Sequence, residues 1–182
     1  VVLETLSPAE RVAFVLHDMF NLPFDDIAPI VNRSPATARQ LARRARQRVQ
    51  GAPANPDADR ARQREVVSAF LAASRGGDFS ALLAVLDPDV VLRADASAVA
   101  ASLARMGDTP PLAPAIHGCE EVAKRFTGRA KMAQLALVDG DVGLVIALGG
   151  IPRMVFDFVV EAGRIVEISL IADARSVEGL NL

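Results

Sequence analysis

The stretch NRSPATARQLARRARQRVQ, residues 32–50, decides the fold of the first part of the chain. It holds six arginines and no acidic residue, although the whole chain of 182 residues carries a formal net charge of only −2. Ser34 is a preferred helix N-cap, and Pro35 suits the first helical position, where no amide hydrogen is needed. Small and aliphatic residues recur at the spacing of one helical face, namely Ala38, Leu41, Ala42, Ala45 and Val49. The stretch therefore predicts a basic helix with a buried, alanine-rich face.

A first helix is predicted upstream, in LSPAERVAFVLHDMF, residues 6–20. Ser7, Pro8 and Glu10 have the spacing of a capping box with proline at the first helical position. The larger apolar residues recur every three or four positions and predict one buried stripe, made of Val12, Val15, Leu16 and Met19.

A second, shorter helix is predicted over residues 24–31, and it should end at Asn32, which tolerates the backbone of a tight turn. Its buried face should consist of Phe24, Ile27, Ala28 and Val31. A short helix, a turn of about three residues and a basic helix form the helix-turn-helix pattern.

The arginines of the third helix have no acidic neighbour between residues 27 and 50, so we expect them to face solvent or an anion. Successive residues lie about 100° apart, which sorts the arginines onto two flanks: Arg39, Arg43 and Arg46 on one, and Arg44 and Arg48 on the other. Ala36 and Gln40 then point directly away from the core. Such a helix suits the major groove, with its tip at base edges and its flanks at phosphates. The alternatives are a solvated arginine-rich helix and a surface for an acidic protein.

Residues 6–49, LSPAERVAFVLHDMFNLPFDDIAPIVNRSPATARQLARRARQRV, resemble region four of the extracytoplasmic-function sigma factors of bacterial RNA polymerase. The matching positions are Leu6, Pro8, Arg11, Asp26, Ile27, Ala28, Ser34, Thr37, Leu41, Arg44, Ala45 and Arg46. The chain departs from the family pattern at Ala38, where valine is usual, and at Pro29. The resemblance implies that this region reads the −35 promoter element and contacts core RNA polymerase.

The resemblance also assigns DNA-binding residues by position. The base-edge or near-base contacts would be Arg39, Gln40 and Arg43, close to Ser34 and Ala36 at the start of the helix. The phosphate contacts would be Arg33, Arg44, Arg46 and Arg48.

The rest of the chain differs in charge and pattern. Residues 1–50 hold seven arginines against five acids, whereas residues 51–182 hold thirteen basic and seventeen acidic residues. GAPANPDAD, residues 51–59, reads as a linker because proline, glycine and asparagine stop a helix. Beyond it, two predicted helices are followed by strands with turn signals at VDGD and EAGR, so residues 60–182 should form an α+β domain.

This second domain resembles the SnoaL-like fold, a cone of helices around a curved, mostly antiparallel sheet. The segments that carry the resemblance are GDFSALLAVLDPDVVLRAD, CEEVAKRFTG and GRIVEI. A SnoaL-like tail after region four occurs in certain sigma factors. The best-described group has DGGG and NPDKL-like segments where this chain reads ADASAVAAS and ADARSVEGL, so the regulatory contacts of those segments are not carried over.

A pocket in the cone would draw on five candidates: Met154, Phe156, Asp157, Phe158 and His117. Strand alternation places Asp157 opposite Phe156 and Phe158, and we expect it to face water, with a cavity as the alternative. His117 precedes a helix start, where a surface position is the usual outcome. Asp95, Asp139 and Asp141 are further acids, of which the last two suit a turn. No acid–base pair has an identifying spacing, so we predict no enzyme, no cofactor and no metal site.

The sequence thus predicts the C-terminal part of an extracytoplasmic-function sigma factor, without the region two that opens the −10 element in the family. Its partners would be promoter DNA and core RNA polymerase, with an intramolecular contact between the two domains and a small apolar ligand as further possibilities. No apolar run is long enough for a membrane span, and one cysteine fits the cytoplasm. Two alternatives stay open. One is a free-standing helix-turn-helix regulator with a ligand-sensing SnoaL-like domain, and the other is a SnoaL-type isomerase or cyclase fused to a DNA-binding domain.

Overall fold

The structure, a computed structural model, describes residues 6–31, 33, 35–49, 56–104, 111–138, 141–178, 180 and 182. The side chains of residues 36, 47, 56, 57 and 59 are outside this description. The chain divides into two compact units, Val1–Asp59 and Arg60–Leu182.

The first unit is helical. Its helices are α1 (Pro8–Phe14), which continues into one π-helical turn (Val15–Met19), α2 (Phe24–Val31) and α3 (Pro35–Val49). The predicted capping box of α1 is confirmed, because Glu10 N–H donates to Ser7 Oγ at 3.3 Å and Ser7 N–H donates to Glu10 Oε2 at 2.8 Å. These bonds satisfy backbone donors that the first turn of a helix leaves unpaired.

The buried face of α1 differs from the predicted stripe. Ala13 is fully buried against the alanines of α3, and Leu16 packs beside it. Val12 is 36% exposed and Met19 is 69% exposed, so their predicted burial is wrong. The alanines on both helices let the two backbones approach closely, and this close contact selects the alanine side of α1 over the side with larger apolar residues.

The rest of the chain contains five helices and six strands in the described ranges: α4 (Pro56–Gly76), α5 (Phe79–Val85), β1 (Leu86–Ala94), α6 (Ala96–Ala104), β2 (Ala115–His117), α7 (Cys119–Phe126), β3 (Gln134–Val138), β4 (Asp141–Leu148), β5 (Ile151–Glu161), β6 (Arg164–Ile171) and α8 (Ala174–Glu178). Helix α4 begins at Pro56, within the first unit, so residues 56–59 of the predicted linker form its first turn. Proline fits there because the first turn needs no amide hydrogen from it. The remaining predicted linker, residues 51–55, lies outside the described residues.

The six strands form one sheet in the order β2-β1-β6-β5-β4-β3. Strands β1 and β6 are parallel, and the other neighbours are antiparallel. The predicted α+β class with a mostly antiparallel sheet is therefore confirmed. The EAGR turn is also confirmed, because Glu161 pairs with Arg164 and Gly163 takes a φ of 77°. Asp139 and Gly140 of the VDGD turn lie outside the described residues, but Val138 pairs with Asp141 across it.

One face of the sheet packs on helices around a phenylalanine cluster. Phe70 of α4 contacts Phe126 of α7 edge-on at 4.9 Å between ring centroids and Phe158 of β5 at 5.4 Å. Phe156 lies 6.2 Å from Phe126. Edge contacts of this kind add to the stabilisation from burial itself, so this cluster forms the centre of the second unit.

Strands β4 and β5 separate at one end, and α4 fills the gap with a polar side chain. Their pairing ends at Leu144 opposite Phe156. Beyond that pair, the Val142 N–H donates to Gln63 Oε1 at 3.2 Å, and Gln63 Nε2 donates to the Phe158 carbonyl at 3.4 Å. The buried Gln63 amide thus replaces backbone hydrogen bonds that the separated strands cannot make.

Asp95 joins two elements at the end of the sheet. Its Oδ1 accepts from Ala98 N–H at 2.6 Å and caps α6. Its Oδ2 accepts from the N–H groups of Ala172 and Asp173 at 2.7 and 2.9 Å, just after β6. Asp95 therefore has a structural role. Asp173 in turn caps α8, and its hydrogen bonds from the Ser176 backbone and hydroxyl hold the pKa of Asp173 below its usual value.

Candidate nucleic-acid interface

The first unit has the geometry of a helix-turn-helix. Residues 32–34 separate α2 from α3, and Arg33 N–H donates to the Ala28 carbonyl at 2.9 Å at the end of α2. Asn32 and Ser34, predicted as turn and cap residues, lie outside the described residues, as does the Ala36 side chain. The buried face of α3 is confirmed at Ala38, Leu41, Ala42 and Ala45, while Val49 is half-buried.

Arg39 is held at the α2–α3 junction by an aromatic ring. Its guanidinium carbon lies 5.3 Å from the centroid of Phe24, a distance at which a cation is attracted to the ring face. His17 stacks on Phe24 with 4.0 Å between centroids, and its Nδ1 lies 3.0 Å from the Leu22 carbonyl. Phe24 was predicted as a core residue only, whereas the structure also places it beside a candidate DNA contact.

Two arginines of α3 pair with acids of the same unit. Arg46 Nε and Nη2 donate to Asp18 Oδ1 at 2.8 and 2.6 Å. Arg48 Nη1 donates to Glu10 Oε2 at 2.5 Å. These arginines were expected to face solvent or an anion, and the anions that they contact are carboxylates of the same unit. The acids are close in space but 28 and 38 residues away along the chain, so no local charge pattern could reveal them.

Gln40 differs from the sequence expectation in its exposure. It lies on the side of α3 opposite the alanine face, but its side chain is buried, with 8% exposure. Gln40 can therefore read a base edge only after its side chain becomes accessible.

Arg33, Arg39, Arg43 and Arg44 are each half-buried in the structure. Guanidinium groups remain charged at any pH that a protein tolerates, and their donors match phosphate oxygens and the guanine edge. The surface can therefore bind a polyanion, and it needs no proton transfer to do so.

The predicted pocket residues do not meet at one place. Met154, Phe156 and Phe158 share the inner face of β5 and pack in the phenylalanine-centred core. Asp157 lies on the opposite face, directly across from Ser169 of β6. His117 is exposed at the end of β2. The structure thus brings together the apolar candidates and separates both ionisable ones from them.

Asp157 is buried, with 4% exposure, so the expectation that it faces water is wrong. Strand β5 is an inner strand between β4 and β6, where neighbouring side chains on both sides limit solvent access. The same face continues into an apolar cluster that includes Val155 and Val177 of α8.

Two polar side chains of α4, Gln63 and Ser74, are buried and hydrogen-bonded. Ser74 Oγ donates to the Phe126 carbonyl at 2.6 Å and accepts from Ala130 N–H at 3.3 Å. In the described ranges, no group of three or more His, Cys, Asp and Glu residues could hold a metal ion. No helix within those ranges is long and apolar enough to cross a membrane.

Comparisons with known proteins agree with the helix-turn-helix geometry. Residues 1–49 match the family model of Sigma-70, region 4. The ECF RNA polymerase sigma factor SigJ of Mycobacterium tuberculosis H37Rv is 38% identical over 162 residues, which cover 84% of this chain and 48% of SigJ. The probable ECF RNA polymerase sigma factor SigI of M. tuberculosis CDC 1551 is 34% identical over 182 residues, which cover 99% of this chain and 59% of SigI.

A solved structure shows similarity across both units. The crystal structure of the M. tuberculosis extracytoplasmic function sigma factor SigJ aligns with a TM-score of 0.51 and 32% identity, covering 98% of this chain and 64% of that chain. The chain spans about half to three fifths of the length of these curated relatives. By its sequence and its fold, the chain is a relative of the extracytoplasmic-function sigma factors, with a match to sigma-70 region 4 at residues 1–49 followed by an α+β domain.

Proposed function

We propose that this chain acts in transcription initiation, with region four binding the −35 promoter element through α3 and contacting core RNA polymerase. The observation that carries the proposal is a basic helix, α3, that follows α2 after three residues and packs its alanine face on α1. Helical spacing directs Arg43 and Arg44 away from the alanine face, as insertion into a major groove requires.

The N-terminal half of α3 is the part that reads bases. Arg39 lies there, and Phe24 restricts the positions that its guanidinium can take. A restricted arginine makes bidentate contact with guanine at a lower entropy cost than a freely rotating one. Arg43 lies one turn later on the same flank, and Arg33 and Arg44 bind phosphates.

Two arginine substitutions should separate base reading from phosphate binding. Arg44→Gln is expected to weaken binding about equally on all sequences and to reduce the slope of log affinity against log salt by about 1. Arg39→Ala is expected to cost about 1–3 kcal/mol on preferred sites and to change the sequence selected from a random DNA library. Salt titrations and library selection with the whole chain measure both effects.

The matched control is Arg129→Gln, which removes an exposed arginine of the second unit. It should leave both the slope and the selected sequence unchanged. Equal losses on every sequence for Arg39→Ala and Arg44→Gln would reduce α3 to an electrostatic clamp without base readout.

The polymerase contact is assigned to the apolar side of the first unit that the structure leaves exposed. Val12 and Met19, which belong to the predicted buried stripe, are 36% and 69% exposed, and Phe20 next to Met19 is 64% exposed. Exposed apolar side chains close together on a surface mark protein-binding sites. This surface lies on a different side of α1 from its contact with α3, so polymerase and DNA need not compete for the same residues.

The SnoaL-like domain modulates region four. Residues 51–182 carry thirteen basic and seventeen acidic residues, so this part of the chain is net negative, whereas residues 1–50 are net positive. The basic helix α3 is attracted to this net negative part of the chain, and the tether raises their effective concentration. A small apolar ligand in the phenylalanine-centred core would have to displace packed rings, so modulation through the surface is favoured.

Cutting the tether tests this modulation without deleting either unit. A protease site is inserted into residues 51–55, and DNA affinity is measured before and after cleavage. At low salt, cleavage is expected to change the affinity at least about threefold, and the change should shrink as salt screens the attraction. Protease treatment of the unaltered chain is the control. An affinity that is identical before and after cleavage at every salt concentration contradicts the modulation.

A further inference from the structure

We propose that Arg46 and Arg48 hold the recognition helix α3 in position and do not bind phosphates, with Asp18 and Glu10 as their positioning partners. This inference rests on the proposed DNA binding by region four and deepens it. It differs from the sequence expectation, which placed both arginines on phosphates.

The first ion pair links the end of the π-helical turn to the second half of α3. Arg46 Nε and Nη2 both donate to the same oxygen, Asp18 Oδ1, at 2.8 and 2.6 Å. Two donors on one rigid guanidinium define the orientation of that side chain as well as its distance. The Asp18 side chain is only 23% exposed and that of Arg46 is 41% exposed, so solvent weakens the pair without removing it.

The second ion pair joins the capping box of α1 to the end of α3. Glu10 Oε2 accepts from Ser7 N–H at 2.8 Å and from Arg48 Nη1 at 2.5 Å. The Glu10 side chain is 4% exposed, so its charge is taken out of water and depends on these partners. One buried carboxylate thus connects the start of α1 with the last turn of α3.

The two ion pairs restrict rotation of α3 about its axis, which the contact between alanines does little to prevent. Ala13, Ala38 and Ala42 bring the helices close together but offer few long side chains that could interlock. Helical spacing places Arg46 and Arg48 on opposite flanks of the alanine face. A roll of α3 about its axis in either direction stretches one of the two pairs. The pairs therefore hold Arg39 and Arg43 at a defined angle to the DNA groove.

Substitution of Asp18 distinguishes a positioning role from simple charge neutralisation, because the two mechanisms predict opposite changes in DNA affinity. If Asp18 merely neutralises an arginine, Asp18→Asn removes a negative charge, releases Arg46 and tightens DNA binding. If Asp18 positions α3, the same change weakens binding, by about threefold for a partly exposed pair. Asp25→Asn is the matched control, because it removes an exposed acid of α2 in the same unit, and it should tighten binding slightly or leave it unchanged.

Arg46→Gln provides the second readout. We expect it to weaken DNA binding about as much as Asp18→Asn and to leave the slope of log affinity against log salt unchanged. The double variant, Asp18→Asn with Arg46→Gln, should bind DNA no more weakly than either single variant. A slope reduced by about 1 would place Arg46 on a phosphate. That result, or tighter binding by Asp18→Asn, would overturn the proposal.

Amide hydrogen exchange of α3 in the DNA-free chain separates this inference from the proposed function. Asp18→Asn is expected to speed exchange in the second half of α3 about threefold, whereas Asp25→Asn should not. If the wild-type chain fails to bind promoter DNA, the proposed function falls, while faster exchange still supports the positioning role. Equal exchange in both variants contradicts it whether or not DNA binds.

Discussion

Gly143→Ala is expected to lower the free energy of unfolding of the second unit by about 3 kcal/mol. A Cβ at this position would lie 2.6 Å from the Phe156 carbonyl oxygen and 2.7 Å from Val138 Cγ2. Real Cβ contacts are not this short, so the strand backbones must move apart. Gly143 lies in β4 between β3 and β5, and the movement would weaken the ladders on both sides. This glycine is needed for close approach and not for an unusual backbone angle.

Gly76→Ala is the matched control. A Cβ at Gly76 would meet nothing within 4 Å, and this glycine lies at the end of α4. Alanine there should be neutral or stabilise the domain by about 0.5 kcal/mol, because it restricts the unfolded chain and favours helix. The chain contains neither Trp nor Tyr, so urea unfolding is best followed by amide hydrogen exchange of β4 and β5. Equal stability of the two variants would show that the strands adapt to the added methyl group at little cost.

Gln63→Ala is expected to destabilise the same domain by about 2–3 kcal/mol. The substitution leaves Val142 N–H and the Phe158 carbonyl without the amide that bridges them, in a place closed to water. An unsatisfied buried backbone group costs more than the net gain of one hydrogen bond, and two are lost here. The effect should appear first as faster exchange of the Val142 amide, before the rest of the sheet opens.

Gln134→Ala controls for the loss of a glutamine side chain. Gln134 is exposed at the start of β3, so its replacement should change stability by less than about 0.5 kcal/mol. A loss below about 1 kcal/mol for Gln63→Ala would mean that β4 and β5 can pair directly once the amide is gone. Gln63→Glu offers a further comparison, because glutamate keeps the acceptor for Val142 but cannot donate to the Phe158 carbonyl.

Local signals along the sequence predicted much of the fold. Ser7, Pro8 and Glu10 predicted the start of α1 because a capping box needs only residues three positions apart. The EAGR turn predicted the β5–β6 hairpin for the same reason, since a two-residue loop sets its own register. The alanine face of α3 was also predicted, because its period of 3.6 residues is a property of a single helix.

Expectations that depended on packing between elements were less reliable. Val12 and Met19 were expected in the core by their size, but the actual contact with α3 uses the smaller Ala13. Gln40 and Asp157 were expected to point away from the core faces of their elements into solvent, but both residues are buried. The period of a helix or strand determines which way a side chain points, whereas its burial depends on what lies next to it.

The two-part organisation, the helix-turn-helix and the resemblance to region four could be predicted because each depends on residues close together along the chain. Which charged side chains pair could be seen only in the folded chain. Asp18 lies 28 residues from Arg46, and Glu10 lies 38 residues from Arg48. An ion pair depends on distances of a few ångströms in space. A basic segment without neighbouring acids therefore predicts a charged surface, but it cannot tell an arginine that is available to DNA from one already held by a carboxylate.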